Sequence, residues 1–306
     1  MRRVTFSLPF GIDHVHCYLL PGSTGDWTVV DTGLGLPGAR ESWAASLAGL
    51  EGPVSRIVIT HFHPDHVGAA ADLVELTGAP VYQGVEDYRQ GLGAWGERRR
   101  PERMPGYLRS HGVPEDEIGV FRRESQTLLR MVRFARDPEP LAAEDTVDGC
   151  EVLHLPGHAD GHLALLRDGV LIAGDTLLAS ITPNVGLYPD ARPDPLGDYL
   201  ASLKRIEELA PRVAYAGHRE PIIDPAGRAR ELISHHHGRL EQAADMLESE
   251  PRTAYELSFA LWPEPLSPAL RRFALAETHA HVEYLVLRDA ATRAERNGRI
   301  EFSTLS

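Results

Sequence analysis

The chain has 306 residues, 42% of them hydrophobic and 25% charged, which excludes a disordered chain and is enough for a folded core. Lys and Arg total 31 against 44 Asp and Glu, and this net charge of −13 makes the overall surface a poor match for nucleic acid phosphates. No apolar run approaches the roughly 20 residues of a membrane-spanning helix. We also expect no signal peptide. With two cysteines, Cys17 and Cys150, we expect reduced thiols and a cytoplasmic protein with no membrane partner.

The first part of the chain predicts alternating strands and helices. FSLPFGIDHVHCYLL and WTVVDTG are β-rich segments separated by Pro- and Gly-containing turns. We expect a helix at about 36–50, a buried strand at 54–60, a helix in GAAADLVELTG and a strand in PVYQG. This order favours a layered α/β fold.

Residues 85–140 predict a helical insert rich in arginine. Between Trp95 and Arg136 the chain has ten Arg and six Asp or Glu, a local net charge of +4. One interpretation is a solvated helical face. The other is a lid that holds an anionic part of a substrate, since guanidinium groups bind carboxylate or phosphate in a bidentate manner. For the lid, Arg99 and Arg103 are the candidate contacts.

The second part predicts further strands and then helices. CEVLHLPGH, HLALLRDG and VLIAGDTLL are expected strands, followed by a helix at about 195–210 and the strand VAYAGH. From about residue 228 the pattern is helical until NGRIEFSTL, which predicts a hairpin or terminal strand. We therefore expect a catalytic domain over 1–225 and a C-terminal domain over 226–306.

Metal-binding residue types follow four of the expected strands. HFHPDH, residues 61–66, comes directly after the strand at 54–60, and strand ends are where α/β folds build their sites. His158, Asp175 and His218 each stand beside a glycine after a short apolar run. Imidazole and carboxylate groups are ligands for zinc and similar metals. The sequence therefore predicts a metal site, with enough ligands for two ions.

These motifs, with Asp31 in VVDTG, resemble those of the metallo-β-lactamase superfamily over roughly residues 5–220. The resemblance implies an αββα sandwich with a dinuclear site at one edge. The implied ligands are His61, His63 and His158 for one ion, Asp65, His66 and His218 for the other, and Asp175 as the bridge. Asp31 is implied to orient a ligand histidine through a hydrogen bond, with a plain turn role as the alternative.

The resemblance also implies a hydrolytic chemistry. Two divalent ions, Zn²⁺ with Fe or Mn as alternatives, would activate a bridging hydroxide, and Asp65 would hold or relay its proton. β-Lactam hydrolases of this fold usually carry Cys where this chain has Asp175, and diiron flavoproteins usually carry Glu where it has His63, which disfavours both activities. A mononuclear-iron sulfur dioxygenase remains a minor alternative, and the intact ligand set disfavours a non-catalytic binding protein.

We therefore predict a metal-dependent hydrolase of a small thioester or lactone, with cleavage of single-stranded RNA as the alternative. The segments TAYELSFALW, ALAETHAHVEYLVLRDAA and NGRIEF resemble a winged-helix-like module appended to one branch of the superfamily. Residues 219–306 contain 11 Arg and 14 Asp or Glu. We therefore expect this module to shape the pocket for a small, anionic substrate rather than bind nucleic acid. A homo-oligomer remains open.

The remaining histidines and one tyrosine have weaker predictions. His162 and Tyr188 are candidate substrate contacts, and for His162 a structural hydrogen bond is an equal alternative. His14 and His16 alternate along an expected strand and are interpreted as structural.

Two histidine groups fall on expected helices. Residues 235–237 are consecutive, so their side chains diverge and cannot chelate one ion together; we expect a solvated run. His279 and His281 are expected to pack.

Overall fold

The computed structural model describes residues 1–9, 11–96 and 101–305. In these ranges the first sheet has the strand order β1-β2-β3-β4-β5-β6. Its strands are β1 (Arg2–Ser7), β2 (His14–Pro21), β3 (Trp27–Val30), β4 (Val54–Val58), β5 (Val81–Gly84) and β6 (Glu139–Leu141). The β1–β2 and β2–β3 pairs are antiparallel, and the pairs from β3 to β6 are parallel. The parallel strands β3 and β4 therefore end at the same edge of the sheet.

The second sheet has the order β11-β10-β9-β8-β7. Its strands are β7 (Thr146–Val147), β8 (Cys150–His154), β9 (Leu163–Arg167), β10 (Val170–Gly174) and β11 (Val213–Ala216). The β10–β11 pair is parallel and the other pairs are antiparallel. A separate hairpin of β12 (Ala291–Arg296) and β13 (Arg299–Thr304) closes the chain.

The helices lie between and after these strands. They are α1 (Ala39–Leu47), α2 (Pro64–Val67), α3 (Ala70–Thr77), α4 (Val85–Ala94), α5 (Arg103–Ser110), α6 (Glu115–Leu129), α7 (Pro195–Leu209), α8 (Pro225–Leu247), α9 (Ala254–Leu261) and α10 (Pro268–Val286). Asp194 and Asp224 cap α7 and α8, each followed by a proline in the first helical turn. No helix among the described residues combines the length and apolarity needed to cross a membrane.

Side-chain alternation along the strands builds the sandwich. In β2, Tyr18 and Leu20 pack against residues of the second sheet such as Leu165. Cys17 and Leu19 point the other way and pack with the helices, against Trp43 for example. Successive side chains of a strand face opposite sides of its sheet, so each sheet contributes to an inner and an outer apolar layer. The predicted αββα sandwich is confirmed.

The outer face of the second sheet packs on α7, α8, α9, α10 and the final hairpin. Leu171 of β10 and Phe302 of β13 belong to the same buried cluster, and Phe302 is 0% exposed. Helix α8 begins at Pro225, where we predicted the domain boundary, but its side chains join this shared core. The boundary itself and the winged-helix-like character of the last segment stay predictions.

The expectation of a solvated histidine run on α8 is wrong for its middle member. His236 is 0% exposed and its Nδ1 lies 3.2 Å from Nε2 of His281. His237 is exposed and His235 is half-buried. The three side chains do point in different directions, and the side chain of His236 is the one that points into the core. His279 and His281 are buried, as expected.

Candidate metal centre

The HFHPDH loop leaves the edge of the first sheet directly after β4. Thr60 donates from its backbone N–H and its hydroxyl to the two carboxylate oxygens of Asp31, each at 2.8 Å. Asp31 follows β3, so this pair joins the ends of two parallel strands. Pro64 then starts α2 with His63 as its N-cap, because proline tolerates the first helical position. This short helix turns Asp65 and His66 back toward the site.

The structure brings the predicted ligands together. Three overlapping groups each offer one ligand atom per residue within 4.8 Å of one another: His61–His63–His158, His61–His66–Asp175 and Asp65–His66–His218. His61 Nε2 lies 3.1 Å from His63 Nδ1, and His218 Nε2 lies 3.3 Å from Asp65 Oδ2. The first and last groups are the two ligand sets that the sequence suggested.

Asp175 lies between the two ligand sets. Its Oδ2 is 3.5 Å from His66 Nε2, 3.2 Å from His218 Nε2 and 3.9 Å from His158 Nε2. Gly217 is required beside it, since an added Cβ would stand 2.5 Å from Asp175 Oδ1 and 2.6 Å from His66 Cε1. The carboxylate therefore reaches histidines from both sets.

Several buried atoms of the cluster have no hydrogen-bond partner in the described part of the chain. They are His66 Nε2, His158 Nε2 and Asp175 Oδ1. Buried polar atoms without partners are rare because their desolvation is not compensated. Imidazole nitrogens and a carboxylate that converge in this way have the chemistry of a divalent metal site, so the residues present fit the metals that the sequence implied.

The opposite ring nitrogens of three ligands are occupied by outer hydrogen bonds. Nδ1 of His66 donates to Asp31 at 2.8 Å, Nδ1 of His158 to the Asn184 carbonyl at 2.8 Å and Nδ1 of His218 to the His14 carbonyl at 2.6 Å. Such bonds fix the tautomer and leave Nε2 free toward the cluster. The orienting hydrogen bond of Asp31 is thus present. No sequence signal points to the Asn184 and His14 carbonyls, because any residue supplies a carbonyl.

The carboxylates control the protonation of two histidines. Burial lowers the pKa of His66, but Asp175 and Asp31 outweigh it and raise that pKa well above its ordinary value. For His218, burial is likewise outweighed, by Asp175 and then Asp65, and the pKa rises to about 10. Burial and the neighbouring His158 instead lower the pKa of His63 to about 3. The negative charge of Asp175 therefore favours positively charged groups next to it.

The predicted substrate contacts occupy different places. His162 is 0% exposed, accepts from the Asp175 backbone N–H at 3.1 Å and lies 3.0 Å from the Thr176 hydroxyl. It therefore supports Asp175 from behind, in agreement with the structural alternative given for His162, and these hydrogen bonds leave it no exposed surface for a substrate. Arg99 falls outside the described residues.

Arg103 and Tyr188 line one cavity of about 340 Å³. Tyr107, His279 and Arg293 also line it, so the insert, the loop after Asp175 and the C-terminal segment all contribute. Arg103 pairs with Asp190. Tyr188 donates to Asn184 Oδ1 at 3.0 Å, and the Asn184 carbonyl holds His158. The cavity is thus connected to the metal-binding cluster through one asparagine.

The model of the metallo-beta-lactamase superfamily matches residues 10–218. The chain belongs to this superfamily. A second model, of the metallo-beta-lactamase-like C-terminal domain, matches residues 240–305. The predicted family and the predicted class, a metallo-beta-lactamase superfamily hydrolase, are confirmed.

Similar proteins match this chain over different shares of its length. The probable metallo-hydrolase YqjP of Bacillus subtilis strain 168 is 27% identical, over 97% of this chain and 95% of that protein. The crystal structure of a metallo-beta-lactamase family protein from Thermus thermophilus is 38% identical, with a TM-score of 0.86 over 99% of this chain and 98% of that one. The hydroxyacylglutathione hydrolase of Alkalilimnicola ehrlichii is 30% identical, over 63% of this chain and 60% of that enzyme. The first two matches extend through the C-terminal segment, and the Thermus thermophilus structure has the same fold over nearly the whole chain.

Proposed function

We propose that the chain hydrolyses a small thioester or lactone at a dinuclear centre held by the seven-residue cluster. The position of Asp175 is the observation on which this rests. One carboxylate oxygen lies within 3.9 Å of histidines from both ligand sets, as a bridge between two ions requires. We assign His61, His63 and His158 to one ion, and Asp65, His66 and His218 to the other.

The protein's own groups position and move protons. Two divalent ions, Zn²⁺ in our proposal, would supply a water of lowered pKa and a Lewis acid for the scissile carbonyl. Burial raises the pKa of Asp65, but His66 and His218 outweigh it and the pKa is lowered, so this carboxylate is ionised at neutral pH. Its side chain is 15% exposed. Asp65 therefore accepts the proton of the attacking water and passes it toward the leaving group.

The cavity beside Tyr188 is proposed to hold the part of the substrate that does not react. Arg103 and Arg293 bring two guanidinium groups to it, which suit a carboxylate or phosphate. A substrate anion would bind them in exchange for their present partners, Asp190 and Glu283. The named activity of the Alkalilimnicola ehrlichii relative, hydrolysis of an acylated glutathione, favours a thioester of this kind. We therefore expect Arg103→Ala to raise KM several-fold with little change in kcat, because it removes binding that is equal in ground and transition states.

RNA cleavage is the less favoured candidate. Three of the described arginines of the insert are paired with acids, which reduces the guanidinium groups available to a phosphate backbone: Arg109 with Glu115, Arg122 with Glu102, and Arg133 with Asp72 and Glu75. The net charge of −13 also opposes a nucleic acid partner.

The test is thiol release from acyl-CoA and S-acyl-glutathione thioesters, with parallel assays on lactones and single-stranded RNA. Metal-loaded wild type is compared with Asp175→Asn, which should lose at least about a hundredfold in turnover because it cannot bridge two ions as a carboxylate does. Asp168→Asn, in the turn before β10 and away from the Asp175 end of that strand, is the matched control and should keep full activity. Turnover confined to RNA, or equal rates in wild type and Asp175→Asn, would overturn the proposal.

A further inference from the structure

A second histidine–carboxylate cluster lies outside the catalytic centre, between α8 and α10. It consists of His236, Glu277 and His281, whose ligand-competent atoms all lie within 4.8 Å of one another. His236 and His281 are 0% exposed and Glu277 is 7% exposed. Glu277 and His281 are four residues apart on α10, so their side chains leave the helix on one face. The hydrolytic reaction uses none of the three.

The distance between the two imidazoles suits a shared ion. Nδ1 of His236 lies 3.2 Å from Nε2 of His281. In the catalytic centre, Nε2 of His61 and Nδ1 of His63 lie 3.1 Å apart. Two nitrogens bound to one tetrahedral zinc at about 2.0–2.1 Å are separated by about 3.3 Å. The second pair therefore has the spacing of the first.

Outer hydrogen bonds orient two of the three groups. Nδ1 of His281 donates to the Glu277 carbonyl at 2.7 Å, and because a carbonyl only accepts, the lone pair of His281 is on Nε2, facing His236. Nδ2 of Asn184 donates to Oε2 of Glu277 at 3.0 Å and fixes its carboxylate. Partners of this kind, behind a histidine and a carboxylate, are typical of metal ligands.

The surroundings offer this cluster little other compensation. Leu232, Leu240 and Val282 around it belong to the apolar core. The neighbouring Arg239 donates to the Leu261 carbonyl and stacks on Trp262. A buried carboxylate beside two neutral imidazoles is stabilised by a cation.

We propose that His236, Glu277 and His281 bind a third divalent ion of the zinc type, separate from the catalytic pair. Two imidazoles and one carboxylate form a known zinc ligand set. The ion would tie α8 to α10 and, through Asn184, steady the carbonyl that orients His158. Its role is structural, because the ligands are buried in the core.

Metal content of the tag-free full-length chain tests the proposal. After zinc loading and gel filtration, we expect three zinc ions per chain for wild type by inductively coupled plasma mass spectrometry. The triple variant His61→Ala, Asp175→Ala, His218→Ala removes ligands of the catalytic centre and should retain one ion. Adding His281→Gln should remove that last ion. Adding His279→Gln instead, a buried histidine two positions away, or His237→Gln, an exposed one, should not.

Two results would overturn the proposal: a triple variant without zinc, or a last ion that survives His281→Gln. Because His281→Gln could fail to fold, anomalous diffraction at the zinc edge from wild-type crystals provides an independent reading. A peak between His236, Glu277 and His281 is expected. Peaks at the catalytic centre with none at this cluster would refute the third site and leave the catalytic proposal intact.

Discussion

The carboxylate of Asp31 accepts three hydrogen bonds at the base of the metal centre. Oδ1 accepts from the Thr60 N–H, and Oδ2 accepts from the Thr60 hydroxyl and from Nδ1 of His66. Its backbone has φ of 61°, a left-handed conformation that aspartate tolerates better than most residues. The residue thus fixes a strand end and the ring of a ligand together.

Asp31→Asn is expected to weaken metal binding about 10- to 100-fold, as loss of an outer partner of a ligand does. An amide nitrogen in place of one oxygen faces a donor, so His66 loses its fixed orientation. Competition with a chromophoric chelator measures the affinity. Asp26→Asn, before the other end of β3, is the control and should bind metal like wild type. Equal affinities for the two variants would contradict the role assigned to Asp31.

Gly157 brings the loop of His158 against α7 more closely than a side chain permits. It has φ of 129°, and an added Cβ would overlap Cβ of Tyr199 and stand 2.5 Å from its Cα. Tyr199 is 0% exposed and donates to the Thr176 carbonyl, so it cannot move aside freely.

Gly157→Ala should therefore destabilise the protein by roughly 2–4 kcal/mol and displace His158, from combined backbone strain and overpacking. Urea unfolding gives the first quantity and metal titration the second. Gly78→Ala separates the two causes: Gly78 has φ of 73° with no atom within 4 Å of the added Cβ, so only about 1–2 kcal/mol is expected, without loss of metal. Similar losses in both variants would exclude the proposed contact with Tyr199.

At the scale of elements, helix α4 holds the metal-binding loop in place. Asp87 of α4 is 0% exposed, and its carboxylate accepts from the Phe62 N–H at 3.0 Å and from Gln83 Nε2 at 2.5 Å. Just after α4, the indole of Trp95 donates to the Phe62 carbonyl at 2.7 Å. Both backbone groups of the residue between His61 and His63 are thus fixed by the start of the insert.

Asp87 predicts a pH-dependent stability. Burial raises the pKa of this carboxyl to about 7, whereas in the unfolded chain it is about 3.9. Between these values the unfolded state releases a proton that the folded state keeps, so stability falls as pH rises from about 4 to 7. Asp87→Asn removes this titration. Its amide oxygen can accept from the Phe62 N–H, and its amide nitrogen can donate to Gln83 once the Gln83 amide is flipped.

Between about pH 4.5 and 8, the free energy of unfolding of Asp87→Asn should rise relative to that of wild type, by up to roughly 3–4 kcal/mol. Urea unfolding at several pH values measures the difference, in which the titration of all other groups cancels. Asp116→Asn, exposed in the first turn of α6, should show no comparable trend. A pH-independent difference for Asp87→Asn would refute the raised pKa.

The elements themselves were largely predictable from sequence, because each depends on local signals. β4 is a run rich in β-branched residues, and α7 begins after an aspartate cap and a proline. The ligands of the centre lie in short motifs at strand ends. His236 shows where single motifs mislead: it takes a place in the buried series Leu232, His236, Leu240 of α8, a helical period that the consecutive histidines hide. Asn184 and Glu277 belong to no motif, since only tertiary packing brings them together.

For the whole molecule, a shared core makes the two matched segments one folding unit. The buried cluster under the second sheet joins Leu171 and Leu203 from the first segment to Leu257 and Phe302 from the C-terminal one. Unfolding of either segment would expose the apolar surface of the other, so a cooperative transition is expected.

Phe302→Ala tests this cooperativity. Loss of a fully buried phenylalanine should lower the free energy of unfolding by about 3–5 kcal/mol. Because the chain is expected to unfold in one transition, this loss should apply to both segments equally. In a Trp262→Phe background the remaining tryptophans, Trp27, Trp43 and Trp95, report only the first segment. Far-UV circular dichroism reports helices that include α8 and α10. Both probes should shift equally in urea, whereas Phe273→Ala, at a 39% exposed position on α10, should shift neither by much. An unchanged fluorescence midpoint in Phe302→Ala would mean that the catalytic part unfolds independently of the C-terminal segment.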